Sequence, residues 1–157
     1  MTRLLDMNPD LCNCLALRQA TRHVTQYYDQ FLAPTGLRTT QFSILAKLGN
    51  RGPLTINALA AEMVMDRTTL GRNIQPLERE GLVAVMTRRT DRRSKELQLT
   101  ELGVERLSAA REAWAEAQSQ FESSFGNDRA SDLRAILHSV TACDFAASAS
   151  SAAPELQ

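Results

Sequence analysis

Six segments of the chain repeat apolar residues at the three- and four-residue spacing of an amphipathic helix. They cover residues 11–32, 40–49, 56–63, 67–80, 101–125 and 128–145. Residue types that favour helix N-termini precede four of them, namely Thr39 or Thr40, Thr55, Asp66 and Thr100. Two shorter segments, residues 82–86 and 96–100, have the apolar pattern of strands, and a polar loop separates them. The pattern predicts a mainly α protein with one small β-hairpin.

The length and composition fit one domain of ordinary size. The 157 residues are 43% hydrophobic but only 5% aromatic, which suits a core of packed helices. No apolar run approaches the ~20 residues that span a bilayer, so no membrane segment is expected. The three cysteines are an odd number and no secretory signal opens the chain, so we expect a reducing, cytoplasmic location.

Residues 56–80 have the size of a helix-turn-helix, because a three-residue turn joins two short helices. In that motif the N-terminal part of the second helix meets the base edges of DNA. The candidates here are Arg67, Thr68, Thr69, Arg72 and Asn73. Since arginine pairs with guanine and asparagine with adenine, we assign Arg72 and Asn73 to bases and the threonines to phosphates.

The hairpin loop, residues 87–95, carries five positive charges against one negative. The cations are Arg88, Arg89, Arg92, Arg93 and Lys95. We assign them to the DNA backbone, with Arg93 the candidate for insertion into a minor groove. Asp91 would repel phosphate, so we expect it to pair with Arg89 or Arg93 and hold the loop in shape. The chain is neutral overall, but the eight positive and four negative residues between positions 66 and 95 give that block a net charge of +4.

Each of these signals also has an ordinary explanation. A basic hairpin tip is often only solvated, and short helices in succession occur in many folds. Because both occur in one block and a capped helix follows, we interpret them together as a winged helix-turn-helix that binds double-stranded DNA. The alternative is a winged-helix adaptor for acidic protein partners, which the salt dependence of DNA binding would distinguish. No catalytic spacing stands out, so no enzyme activity, metal or cofactor is expected.

The residues of this block resemble the MarR family of bacterial transcription regulators. The resemblance rests on LTINALAAEM, on DRTTLGRNIQPLEREGLVAV and on the wing signature formed by Asp91, Arg93, Ser94 and Lys95. It implies a homodimer that binds a pseudo-palindromic operator, usually as a repressor, and releases it on binding a small lipophilic or phenolic ligand or on oxidation. It also implies the domain division. Residues 1–35 and 101–146 would form a helical dimerisation region, residues 36–100 the DNA-binding domain, and residues 147–157 a disordered tail.

The apolar residues near both ends independently favour a dimer. Leu4, Leu5, Leu11 and Leu15 lie at one end, and Leu133, Leu137, Val140 and Phe145 lie at the other. They are more apolar surface than one small winged-helix domain can cover. An intramolecular bundle is the alternative.

A switch would involve the first helix. Cys12 and Cys14 point about 200° apart on a helix, which makes them a poor metal site. The resemblance extends to hydroperoxide-sensing members, in which Cys14 would be the reactive thiol and Tyr28 a supporting tyrosine, although Arg18 stands where a second tyrosine is expected. The alternative is that the cysteines are small core residues.

A ligand crevice is the other possible switch. Arg18, Arg22 and His23 of the first helix, with Gln41 and Phe42 of the second, could line a site for an acidic aromatic molecule. The alternative is that these first-helix residues only solvate its outer face.

Overall fold

A computed structural model describes residues 8–87 and 95–145 of the chain. Its helices and strands, in chain order, are α1 (Asn13–Leu32), α2 (Thr39–Arg51), β1 (Leu54–Thr55), α3 (Ile56–Met63), α4 (Arg67–Arg79), β2 (Val83–Thr87), β3 (Lys95–Leu99), α5 (Glu101–Phe125) and α6 (Asn127–Ala142). Short 3₁₀ helices cover Pro9–Leu11 and Ala33–Thr35. The predicted mainly α fold with a small β-hairpin is confirmed.

Three of the predicted helix starts are capped as expected. The hydroxyl of Thr55 accepts a hydrogen bond from the backbone N–H of Ala58 at 3.2 Å at the start of α3. Asp66 caps α4 and Thr100 caps α5 in the same way, with acceptor distances of 2.8 and 3.0 Å. The caps fix where these helices begin because they satisfy backbone donors that have no partner inside the helix.

The start of α2 differs from the prediction. Thr39 is already the first helical residue, and Arg38 takes the N-cap position. The carboxylate of Asp29, in α1, accepts hydrogen bonds from both the backbone N–H and the hydroxyl of Thr39 at 2.7 Å. A side chain from another helix therefore binds Thr39, and no local sequence pattern could indicate that contact, whereas the local Gln41 accepts a hydrogen bond from the backbone N–H of Arg38 at 3.0 Å.

Two helix ends also differ. The second helix continues to Arg51, two residues beyond the glycine at which we expected it to stop. The last helix ends at Ala142, so Phe145 lies outside it.

The three strands form an antiparallel sheet in the order β1-β3-β2. The hairpin pairs Val83 with Leu99 at its root and Thr87 with Lys95 at its outer end. Strand β1 is two residues long and pairs with β3, and the sequence pattern did not predict it. Residues 88–94, which join the outer ends of the hairpin, lie outside the described residues.

The chain divides into two compact units, Met1–Gln118 and Ser119–Gln157, with the boundary inside α5. The first unit holds a core of aliphatic side chains. Its largest fully buried members are Leu32, Leu37, Ile44, Leu45, Leu59, Leu70, Leu77 and Leu82. At its edge, the rings of Phe42 and Trp114 stack with centroids 6.0 Å apart.

The described part of the second unit is the end of α5 with α6. Arg134 forms a salt bridge of 2.8 Å with Glu122. The guanidinium of Arg129 lies 4.4 Å from the centre of the Phe125 ring. Nowhere in residues 8–87 and 95–145 does a helix have the length and apolar character to cross a membrane.

The first turn of α5 packs directly against the backbone that precedes β2. The backbone N–H of Thr100 donates to the carbonyl of Leu82 at 3.1 Å, and the Thr100 hydroxyl donates to the carbonyl of Gly81 at 2.6 Å. A β-carbon at Gly103 would overlap the carbonyl oxygen of Leu82 and lie 3.0 Å from its carbonyl carbon. Only glycine allows this approach, so Gly103 fixes the start of α5 against the root of the hairpin.

Candidate nucleic-acid interface

Helices α3 and α4 form the predicted helix-turn-helix. The turn begins at Val64, which has a φ of +52° and is the one non-glycine residue with positive φ among those described. This conformation ends α3, and the backbone N–H of the next residue, Met65, returns to the carbonyl of Ala60 at 2.9 Å. Met65 itself packs against the core. The turn therefore anchors α4 to the first unit and leaves Val64 71% exposed.

Helix α4 has one buried face and one exposed face. Leu70, Ile74 and Leu77 are buried in the core, as their spacing predicted. The opposite face consists of exposed polar side chains, namely Arg67, Thr68, Thr69, Arg72 and Gln75. The helix thus presents two cations and several hydrogen-bonding groups outward, which suits contact with DNA phosphates and base edges.

Two predicted DNA-binding residues already have partners within the protein. Both the backbone N–H and the hydroxyl of Thr69 donate to the carboxylate of Asp66, at 2.8 and 2.6 Å. The half-buried Asn73 donates from Nδ2 to the carbonyl of Thr69 at 2.9 Å. A bidentate contact from Asn73 to adenine would have to use Oδ1 and the second N–H of the same amide, in the orientation that this bond holds. Arg67, Thr68 and Arg72 are therefore the most available of the five.

Asp66 adds a fixed negative charge at the start of α4. The hydrogen bond from the Thr69 hydroxyl, and then the one from the Thr69 backbone, hold the pKa of Asp66 below its ordinary value. The carboxylate therefore stays ionised at neutral pH and complements the positive end of the helix.

The two strands of the hairpin agree with the predicted wing. Most cations of the loop between them lie outside the described residues. Lys95 is exposed at the outer end of β3, opposite Thr87. The residues outside are Arg88, Arg89, Asp91, Arg92, Arg93 and Ser94. Their assigned roles, backbone contact and loop shaping, stay predictions.

An open crevice of about 380 Å³ lies between α1, the start of α2 and α4. Its lining residues are Thr25, Asp29, Arg38, Thr40, Gln41, Arg72, Asn73 and Pro76. Of the residues that we expected in such a site, only Gln41 lines it. Phe42 is buried against Trp114 instead. Arg18, Arg22 and His23 are exposed along α1 and do not line this crevice.

The predicted redox residues do not come together within one chain. Cys14 is exposed near the start of α1, whereas the hydroxyl of the buried Tyr28 donates to Gln118 at 2.6 Å. Fourteen helical residues separate them, about 21 Å along the helix axis. A tyrosine next to Cys14 would have to come from another chain.

The alternative that the cysteines are core residues is wrong, since all three are exposed. Cys12 occupies the N-cap of α1, where its sulfur accepts a hydrogen bond from the backbone N–H of Leu15 at 3.4 Å.

Taken together, a helix-turn-helix followed by a two-stranded hairpin defines the chain as a winged helix-turn-helix protein. Residues 37–95 match the model of the MarR family. An uncharacterised HTH-type transcriptional regulator of Bacillus cereus is 32% identical over 114 residues, which are 73% of each chain. The chain therefore belongs to the MarR family of transcriptional regulators, as the resemblance predicted.

Solved structures agree with this assignment. The transcriptional regulator MosR of M. tuberculosis is 35% identical, and the match covers 87% of this chain and 100% of MosR with a TM-score of 0.73. The same regulator in complex with DNA is 36% identical, with 85% and 99% of the two chains covered and a TM-score of 0.73.

Proposed function

We propose that this protein is a homodimeric repressor that binds a pseudo-palindromic operator. Each subunit inserts α4 into a major groove and lays its hairpin loop on the flanking backbone. The exposed face of α4, with Arg67, Thr68 and Arg72 outward and an aliphatic stripe inward, carries the proposal. The similarity to MosR, which has been crystallised with DNA, supports it. A regulator that binds bacterial chromosomal DNA acts in the cytoplasm.

The dimer is supported by apolar side chains that the single chain leaves exposed. In the first unit Leu11 is 79% exposed, and in the second unit Ile136 and Phe145 are 60% and 66% exposed. A second copy would cover these side chains, and two-fold symmetry would present two α4 helices to two half-sites. We assign residues 1–35 and 101–146 to dimerisation and residues 36–100 to DNA binding.

Release by a small acidic ligand is supported by the crevice beside α4. Arg38 and Arg72 both line it, against a single acidic residue, Asp29, whose carboxylate already binds Thr39. A carboxylate ligand would therefore find a cationic wall. Arg72 also belongs to the outward face of α4. A ligand bound in the crevice would therefore draw Arg72 away from the DNA base that we assign to it.

Oxidation is the second possible signal. Cys12, Cys14 and Cys143 are exposed in the single chain, and any of these thiols that the dimer leaves accessible is open to an oxidant. Arg18 lies one helical turn after Cys14. The crevice gives a ligand a lined binding site, whereas α1 gives an oxidant only exposed thiols. We therefore favour release by a ligand over release by oxidation.

Selection of bound fragments from random duplex DNA, followed by titration of the selected site at several salt concentrations, tests the function. Each neutralised phosphate contributes about 0.9 to the slope of log affinity against log salt. Arg72→Ala should weaken the selected site by about 5- to 150-fold, the equivalent of ~1–3 kcal/mol for a lost bidentate contact, and relax its base preference.

Arg111→Ala is the matched control, because it removes the same charge from an exposed position on α5. It should leave both affinity and preference unchanged. A flat salt slope would favour the adaptor alternative, and an unchanged base preference in Arg72→Ala would remove the assigned role of that residue.

A further inference from the structure

Gly71 is unusual among the seven glycines because none of the residues that the structure describes requires a glycine there. Gly36, Gly52, Gly81 and Gly126 have positive φ, a conformation that favours glycine. The other two glycines in helices have close neighbours. A β-carbon at Gly103 would overlap the Leu82 carbonyl oxygen, and one at Gly49 would lie 3.0 Å from the Leu107 side chain. Around Gly71, apart from its chain neighbours and the backbone of its own helix, no described atom lies within 4 Å of the position that a β-carbon would take.

The position is also a costly place for glycine. Gly71 is the fifth residue of the 13-residue helix α4, with the negative φ of an ordinary helix. Glycine at such a position loses more backbone entropy on folding than alanine does, so it weakens the helix. Neither the backbone conformation nor any contact with the described residues compensates for that loss. This favours a reason for glycine that lies outside the subunit.

The neighbours of Gly71 on the helix surface indicate what approaches there. Thr68 precedes it by three residues and Gln75 follows by four, so both adjoin it on the surface of α4, and both are exposed. Arg72, the residue that we assign to a base, comes directly after it. The absent side chain leaves a depression in the surface that we assign to DNA.

We propose that Gly71 is a DNA-contact residue, at which the backbone of α4 approaches a base edge more closely than any side chain would allow. This inference rests on the proposed function. A methyl group at this position would hold the helix away from the groove floor and disturb the base contact of the adjacent Arg72. Gly71 thus determines how deeply α4 enters the groove and contributes to specificity without donating or accepting a hydrogen bond from a side chain.

Gly71→Ala separates folding from recognition, because the two effects should have opposite signs. The variant should unfold about 1–4 °C higher than the wild type, since alanine is the better helix former and has free space here. Its affinity for the selected operator should nevertheless fall about tenfold or more, while binding to non-specific duplex changes little.

Ser108→Ala is the control. It also improves helix propensity, at a position of α5 that is exposed in the single chain, and should raise the unfolding temperature. Because α5 lies in the region that we assign to dimerisation, light scattering first checks that the variant is a dimer, and the dimeric variant should keep the DNA affinity of the wild type. Full operator affinity in a correctly folded Gly71→Ala protein would overturn the inference. An equal loss on specific and non-specific duplex would overturn the base-edge contact and indicate approach to the sugar-phosphate backbone. If the wild type selects no DNA, the proposed function itself fails, which is a different result from an unaffected variant.

Discussion

Replacing Gly103 with alanine should destabilise the protein strongly, although the change adds only a methyl group in a helix. The new β-carbon would overlap the carbonyl oxygen of Leu82, where an ordinary carbon–oxygen contact needs about 3.3 Å. Because Leu82 is fully buried, its backbone cannot retreat without disturbing the core. The start of α5 would have to move instead.

The magnitude follows from what that movement breaks. Overpacking a buried site costs about 1–3 kcal/mol. The hydrogen bonds of Thr100 to the carbonyls of Leu82 and Gly81, and the cap that it provides to Gly103, are each worth about 1 kcal/mol. Alanine regains up to ~1 kcal/mol through its higher helix propensity. We therefore expect the free energy of unfolding to fall by about 2–4 kcal/mol.

Equilibrium urea denaturation measures the difference, with Gly71→Ala as the matched variant. The same chemical change at Gly71 meets open space, so it should raise the free energy of unfolding by about 0.5–1 kcal/mol. We therefore expect the free energy of unfolding to fall in Gly103→Ala and to rise in Gly71→Ala. A Gly103→Ala protein as stable as the wild type would refute the claim that the contact with Leu82 requires glycine.

Two further predictions concern α4 and α6. Hydrogen bonds from Thr69 lower the pKa of Asp66, so its charge stabilises the fold above the ordinary aspartate pKa of about 3.9, and this stabilisation is lost as the pH falls through the lowered pKa. The stability advantage of the wild type over Asp66→Asn, measured in urea, should therefore be present at neutral pH and shrink as the pH falls through the lowered pKa; a constant difference would contradict it. Leu137→Asp, on the apolar face of α6 next to the exposed Ile136, should shift the protein from dimer to monomer in light scattering. Ala135→Asp, about 200° away around the helix, should leave the dimer intact, and dissociation by both variants or by neither would count against this interface.

Local chemistry explains which parts of the fold the sequence could predict. Three helices are capped by the residue just before them, namely Thr55, Asp66 and Thr100. In each case the capping side chain and the backbone donor are three residues apart, so the cap can be recognised from the sequence. The start of α2 was missed because Asp29, whose carboxylate binds Thr39, is ten residues away in another helix. Strand β1 was missed because two residues have no periodicity, and pairing with β3 alone makes them a strand.

The candidate site also has a part that the sequence could predict and a part that it could not. The outward face of α4 follows from helical periodicity, so its exposed residues could be predicted one by one. The crevice brings together residues from three helices, so its lining depends on their packing and could not be predicted from any one of them. The partners of Thr69 and Asn73 were also missed, because a polar residue on a helix surface can bond to its own backbone as readily as it faces solvent.

The stacking of Trp114 on Phe42 gives the protein a built-in optical probe. Trp114 is the one tryptophan of the chain, and both rings belong to the first compact unit. Its fluorescence therefore reports the unfolding of that unit without a label, whereas far-ultraviolet circular dichroism sums the helices of both units. Coincident curves would mean that the whole chain unfolds in one cooperative transition. Separate curves would assign each change in stability, including those of the two glycine variants, to its own part of the molecule.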